Sequence, residues 1–328
     1  MEELIRVKNL SKKFPVQKSL VDFMFSGFKQ RMVHAVDDIS FEIQKGEVLG
    51  LAGESGSGKS TTGRLILRLL EATDGEVSYK GRNILSYSKR EMEHLREKIQ
   101  IVFQDPNSSL NPRMTVGEGI SHPLKIHGTA DPAARKARVI DIMEKVGLQP
   151  AEFLYRKYPH QISGGQAQRA VLARALVTNP DFIVADEPIA MADVSVRALI
   201  LELMKDLKAE FDLTYLFITH DLATAKYLCD RIAIMYLGRI VEIGGRDELF
   251  TRCHHPYTEA LLAAVPIPDP DQRRIQAMVR GEIPSAIDPP PGCHFHPRCP
   301  YAMPECREGR PTLKEIVPGH YSACLLDR

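Results

Sequence analysis

Gly53-Glu54-Ser55-Gly56-Ser57-Gly58-Lys59-Ser60 is a glycine-spaced run that ends on a lysine and a hydroxyl. It fits G-x-x-x-x-G-K-[ST], a pattern with phosphate chemistry. Glycines let successive backbone N–H groups turn inward onto phosphate oxygens, and a helix beginning at the end of the loop adds positive potential. Lys59 has the reach for the outer phosphates of a nucleoside triphosphate, and the Ser60 hydroxyl can hold Mg²⁺. Such a loop must leave a strand and enter a helix. The apolar run 48–52 supplies the strand and the amphipathic run 61–70, starting at Thr61, supplies the helix. A chance Gly/Ser turn is the weaker reading in that context.

Two further constellations suit the same chemistry. Phe182-Ile183-Val184-Ala185 reads as a buried strand that delivers Asp186 and Glu187 at its end. Asp186 suits Mg²⁺, and Glu187 suits taking a proton from, or orienting, an attacking water. Ser163-Gly164-Gly165-Gln166 opens a helical run with a serine N-cap, whose free N–H groups make a second anion site. Alone, Ser-Gly-Gly is a common linker composition; its weight comes from the other two motifs.

The elements that position these residues form an alternating pattern. Strand-like runs occur at 4–7, 36–43, 48–52, 76–79, 99–103, 182–185, 215–218 and 232–236. Between 107 and 174 the character is helical, with Val139, Ile142, Met143 and Val146 on one face before Gly147. This predicts a mainly parallel α/β sheet interrupted by a helical insertion. The stretch 16–34 combines Leu20, Phe23, Met24, Phe25 and Phe28 with Lys18, Lys29 and Arg31, and reads as a long hairpin connection rather than a membrane-surface segment. The last ~80 residues turn Pro-, Cys- and His-bearing, as loop-rich extensions do.

With 328 residues, 44% hydrophobic and 26% charged, the composition is that of an ordinary globular protein. A formal charge of +1, without a block of five or more like charges, gives no electrostatic argument for nucleic-acid binding. No apolar run approaches the ~18 residues that span a bilayer. The start Met1-Glu2-Glu3-Leu4-Ile5-Arg6 lacks the basic and apolar segments of a signal peptide, so a cytosolic chain reaching a membrane through partners is expected.

Taken in order, these landmarks resemble the ATP-binding subunit of an ABC transporter, over residues 4 to about 265. Gly53, Ser55, Gly56, Ser57, Gly58, Lys59, Ser60 and Thr61 lie in its phosphate loop, and Gln104 matches its Q-loop. Ser163, Gly164, Gly165 and Gln166 match the signature motif, 183–188 the strand with the two carboxylates, and His220 the H-loop. Phe14 lies where the family places an aromatic against adenine. The resemblance implies a P-loop NTPase fold: a RecA-like core, an antiparallel β subdomain and an inserted α-helical subdomain. The ATP-binding domain would cover 1–250, with the insertion at 107–174 contacting the membrane subunits, and 251–328 would be an extension. Ser60, Gln104 and Asp186 would hold Mg²⁺, Glu187 would be the general base, and His220 would sense the γ-phosphate. Each ATP would be closed over by Ser163 and Gly165 of a second subunit.

Closer similarity is to importers of oligopeptides, dipeptides and nickel, carried by Phe14-Pro15-Val16, Ala35-Val36-Asp37-Asp38, Phe103-Gln104-Asp105-Pro106 with the Ser109-Leu110-Asn111-Pro112-Arg113-Met114 run, and His255-Pro256-Tyr257-Thr258. The implied partners are a second ATPase subunit, as a heterodimer, two transmembrane permeases and an extracellular substrate-binding protein, with the chain peripheral on the cytoplasmic side of the membrane. Peptides are the expected cargo; oligosaccharides or nickel are the alternatives. A soluble ABC ATPase acting on DNA or ribosomes would carry a splitting coiled coil or a second cassette, and neither is present in the sequence. A metal-binding regulator with a vestigial ATPase is favoured only by one departure. Where the family reads Thr-Ser-Ala-Leu-Asp after Pro188, this chain reads Ile189-Ala190-Met191-Ala192-Asp193, losing two hydroxyls, which suggests a weakened site in an asymmetric heterodimer.

Cys293, Cys299, Cys306 and Cys324 fall together in the tail. Some importers that this chain resembles hold an iron–sulfur cluster in a similar segment, and four cysteines suit [4Fe–4S]. Zinc, which favours tighter C-x₂₋₄-C knuckles, and a metal-free tail are the alternatives. Cys229 and Cys253 read as plain buried or surface thiols.

Overall fold

Among the described residues the chain forms twelve strands: β1 (Glu3–Pro15), β2 (Met32–Gln44), β3 (Val48–Ala52), β4 (Asp74–Tyr79), β5 (Arg82–Asn83), β6 (Ile99–Val102), β7 (Phe182–Asp186), β8 (Thr214–Thr219), β9 (Arg231–Tyr236), β10 (Arg239–Gly245), β11 (Lys314–Val317) and β12 (His320–Ser322). The computed structural model describes residues 2–16, 31–128, 131–190, 193–265 and 281–326. Most of the basic, aromatic stretch 16–34 lies outside the described residues, as do Met191 and Ala192 of the altered loop. The chain divides into two units, one holding 86–218 with two short segments, the other 3–43, 49–85 and 219–328.

In the first unit, β6, β7 and β8 run parallel, with Ile99 opposite Phe182 and Phe182 opposite Thr214. Every residue of β7 and β8 is buried. Continuous apolar strands of this kind are covered on both faces, which fits a parallel sheet. Between β6 and β7 lie helices Val116–Ile126, Pro132–Lys145 and Gly164–Leu176, which pack on one another. Val139, Ile142 and Met143 are fully buried, as their spacing requires, and the Pro132–Lys145 helix is capped at Val146 before Gly147 turns the chain with φ +71°.

In the second unit, β1 pairs antiparallel with β4, and β4 with β5. Strand β3 runs parallel to β9, placing Leu49 opposite Arg231, and β9 and β10 form a hairpin through Leu237 and Gly238. Both turn residues have positive φ, the backbone that matches strand twist in a tight hairpin. The tail does not remain loop: β12 adds antiparallel to β10, with Glu242 opposite Ser322, and β11 adds to β12. Cys229 is fully buried against Gly50, where a side chain would have no room. No helix among the described residues is long and apolar enough to cross a membrane.

Candidate active site

The phosphate loop is built in the second unit between buried β3 and the Lys59–Ile66 helix. Gly58 is that helix's N-cap with φ +106°, and a Cβ there would collide with the Ala35 carbonyl oxygen. A side chain at Gly53 would likewise run into the Met235 carbonyl. These two positions are glycine because backbone passes backbone there. Gly56 has φ +77° in open space, and Ser55 is exposed beside it. Lys59 is 5% exposed, and its Nζ donates to the carbonyls of Gly53 at 2.8 Å and Glu54 at 2.9 Å. The buried Ser57 hydroxyl has no hydrogen-bond partner among the described residues. Ser60 and Thr61 follow half-buried in the first turn.

His220 belongs to the same unit and is exposed where β8 turns into the Leu222–Leu228 helix. The turn is fixed around it. Asp221 caps the helix by accepting the Ala223 N–H at 2.9 Å, and Thr219 Oγ1 accepts the Asp221 N–H at 3.0 Å. Phe14 lies half-buried near the end of β1, with the Lys12 ammonium 5.0 Å from its ring centroid.

The first unit holds the carboxylates. Asp186 is buried at the end of β7, and Glu187 follows with φ +49°, a left-handed backbone that strains a non-glycine residue. That conformation is held by its N–H, which donates to the Ile218 carbonyl at 3.0 Å. Gln104 Nε2 donates to Glu187 Oε2 at 3.0 Å, so the Q-loop amide and the expected base meet directly. Ser163 caps the Gly164–Leu176 helix in a reciprocal box: its Oγ accepts the Gln166 N–H at 3.2 Å and its N–H donates to Gln166 Oε1 at 2.9 Å. The Ser163 hydroxyl proton is not used by that box, and Gly164 leaves open space beside it.

An enclosing cradle with a buried lysine and a strand-end pair of carboxylates define a P-loop nucleoside triphosphatase of α/β fold. The family profile described as ABC transporter matches residues 36–190, and the profile described as oligopeptide/dipeptide transporter, C-terminal region, matches residues 241–306. The chain is 43% identical over 330 residues to the oligopeptide transport ATP-binding protein AppF of Bacillus subtilis, covering 99% of this chain and 98% of that one. It is 46% identical over 322 residues to the dipeptide transport ATP-binding protein DppF of Haemophilus influenzae, covering 98% and 96%. Among solved structures, the ATP-binding cassette MJ0796, in a dimer bound to ADP and Pi, aligns at a TM-score of 0.64 and 29% identity, covering 74% of this chain and 99% of that one. The chain belongs to the ATP-binding subunits of ABC transporters, and it is an ATPase of that family.

One expectation gains no support. Cys293, Cys299, Cys306 and Cys324 do line one pocket, together with His255, Phe295 and His296. All six cysteines are thiols rather than disulfides. Yet among the described residues no group of three or more His, Cys, Asp or Glu is gathered so as to hold a metal ion. The donors fit a [4Fe–4S] cluster in kind and number; their arrangement does not display one. Burial pushes the Cys293 thiol up to about 11. The tail's order comes from strand pairing and from buried Phe295, Glu242 and His320, which sequence reading missed. The signal available was apolar Ile240, Val241 and Ile243 directly after Leu237-Gly238.

Proposed function

We propose that this chain hydrolyses ATP to drive import of peptides through an ABC transporter, peripheral on the cytoplasmic side of the membrane. Its partners in this reading are two permease subunits, a second ATPase subunit and an extracellular binding protein. Support comes from relatives named for oligopeptide and dipeptide transport and from the match of the C-terminal region. The domain reading is an ATP-binding domain at 1–250 with an insertion at 107–174, and an extension at 251–328.

The roles follow from the chemistry of each group. N–H groups of the loop from Gly53 to Thr61 and the Lys59 ammonium take the β- and γ-phosphates, and Phe14 stacks on adenine. Ser60, Gln104 and Asp186 offer oxygen donors that suit Mg²⁺, which supplies charge neutralisation between the outer phosphates. Glu187 accepts the proton of the attacking water, and His220 contacts the γ-phosphate. Ser163, Gly164, Gly165 and Gln166 present their capped helix terminus to the ATP of the second subunit.

The observation that carries hydrolysis is Glu187, strained at the strand end with its carboxylate on Gln104. The test is Glu187→Gln in the reconstituted transporter. ATP binding is retained, turnover falls by about 10² or more, and the nucleotide-loaded dimer persists. Undiminished turnover removes Glu187 as base. The cysteine pocket is the place proposed for a [4Fe–4S] cluster, supported by donor count and a shared pocket; near-zero iron and acid-labile sulfide in anaerobically purified protein reject it.

A further inference from the structure

The phosphate loop is tied down from outside by two residues of the C-terminal region, Tyr257 and Arg298. Glu54, its second residue, donates its backbone N–H to Tyr257 Oη at 2.9 Å. Its carboxylate receives both terminal nitrogens of Arg298, Nη1 to Oε2 at 2.8 Å and Nη2 to Oε1 at 3.1 Å, across 244 residues of sequence. The Glu54 carbonyl in turn accepts from Lys59 Nζ. One residue therefore joins the phosphate-facing lysine to the C-terminal tail.

The tether is itself rigid. Arg298 is 8% exposed and lies 5.8 Å from the Tyr236 ring centroid and 5.9 Å from that of Phe295. Phe295 is buried edge-on to Tyr236 at 5.3 Å and against Tyr257 at 5.3 Å, while Tyr236 and Tyr257 meet at 4.6 Å. A bidentate guanidinium–carboxylate pair in such surroundings fixes direction as well as distance. The loop itself has no ladder: Gly53, Gly56 and Gly58 all have positive φ, and among the described residues no strand or helix spans 53–58. An unsupported loop of this kind must be ordered when ligand arrives, which lowers affinity; a pre-tied loop avoids that loss.

We propose that Arg298 and Tyr257 are positioning residues for ATP, acting through Glu54 to hold the phosphate loop and the Lys59 ammonium in binding geometry. The inference rests on the nucleotide reading above and assigns the tail a part in it. Tail and loop form one nucleotide-binding device, and Arg298, next to Cys299 of the thiol pocket, is the connection.

The test is a double-mutant cycle on the full chain with Arg298→Gln, Glu54→Gln and the pair, reading the ATP dissociation constant and, in the assembled transporter, KM and kcat. Arg298→Gln weakens ATP about tenfold and raises KM, with kcat at saturating ATP within about twofold, because the reacting groups are untouched. Arg298→Lys, which keeps the charge without the fork, recovers part of the loss. In the Glu54→Gln background, Arg298→Gln adds less than about twofold. Wild-type affinity in Arg298→Gln, or full additivity in the pair, overturns the role, since the tail would then act without Glu54. If Arg298→Gln fails to fold, Arg298→Lys and Glu54→Gln decide in its place: weakened ATP binding in both supports the role, and wild-type affinity in both overturns it. A wild-type chain that binds no ATP overturns the nucleotide reading, and the positioning role with it.

Discussion

His255→Asn separates a proton-linked part of stability from everything else in the tail. His255 is 2% exposed, and its Nδ1 accepts the Tyr257 N–H at 3.1 Å, capping the Pro256–Ala263 helix that carries Tyr257. Burial pushes its imidazole down to about 4, opposed only in part by the nearby Glu242 carboxylate. Unfolded, the ring titrates near ~6.5. The unfolded state therefore binds the extra proton first, and stability is lost as pH falls from ~6.5 towards ~4. At pH 5.0 the loss from this group alone is about 2 kcal/mol relative to pH 7.5, from ~1.4 kcal/mol per pKa unit. Asparagine keeps a cap acceptor and cannot titrate. Its smaller volume lowers stability at both pH values, so the readout is the difference between them. His294, also lowered by burial, titrates in the same direction in both chains and cancels. Glu242, held below the usual carboxylate range by His320 and by backbone N–H groups, against its burial, loses its contribution only below ~4.5, outside the window. Urea unfolding at pH 7.5 and 5.0 should show wild type losing about 2 kcal/mol more than His255→Asn. Equal losses in the two chains refute the assignment.

Gly58→Ala forces a Cβ into a backbone carbonyl at a positive φ, whereas Gly56→Ala meets nothing. The second change should cost only the ~1–2 kcal/mol of the left-handed backbone, and the first should lose ATP binding as well; thermal melts without nucleotide and ATP titration distinguish them. Ala190→Ser restores one hydroxyl after the two carboxylates. It should raise the ATPase rate of the assembled transporter, and an unchanged rate removes the altered loop as the cause of a weakened site.

Much of the chemistry was readable because it is local. A phosphate loop needs glycine where backbone crosses backbone, and Gly53 and Gly58 stand at such crossings. The strand 182–185 and its carboxylates were legible because a strand buried on both faces has no polar positions to confuse it. What escaped were contacts between residues far apart in sequence. Nothing near Glu54 announces Arg298, and nothing near Glu242 announces His320, which reaches its Oε1 through Nε2 at 2.8 Å. The tail's composition suggested loops because prolines and cysteines carry no period; its short strands are specified by the partner strand β10 rather than by their own pattern.

Glu187 shows how the expected base is held and where it can give. Its backbone is locked: strained φ, N–H on Ile218, and two wholly buried strands behind it. Its carboxylate meets the exposed Gln104 amide, a contact that can be replaced. A hydrogen bond from an exposed amide is worth about 1 kcal/mol, so it breaks readily when a competing partner arrives. Gln104 is thus suited to report what happens at the base rather than to power it. Gln104→Ala should change Mg²⁺-free ATP affinity less than about threefold; the lost hydrogen bond accounts for about fivefold in basal hydrolysis, because ~1 kcal/mol is roughly fivefold, and any loss beyond that reports its share in holding Mg²⁺. The stimulation of hydrolysis by transport substrate in the assembled transporter should fall much further. Basal and stimulated rates that drop by the same factor would show that the amide serves the chemistry directly and carries no signal.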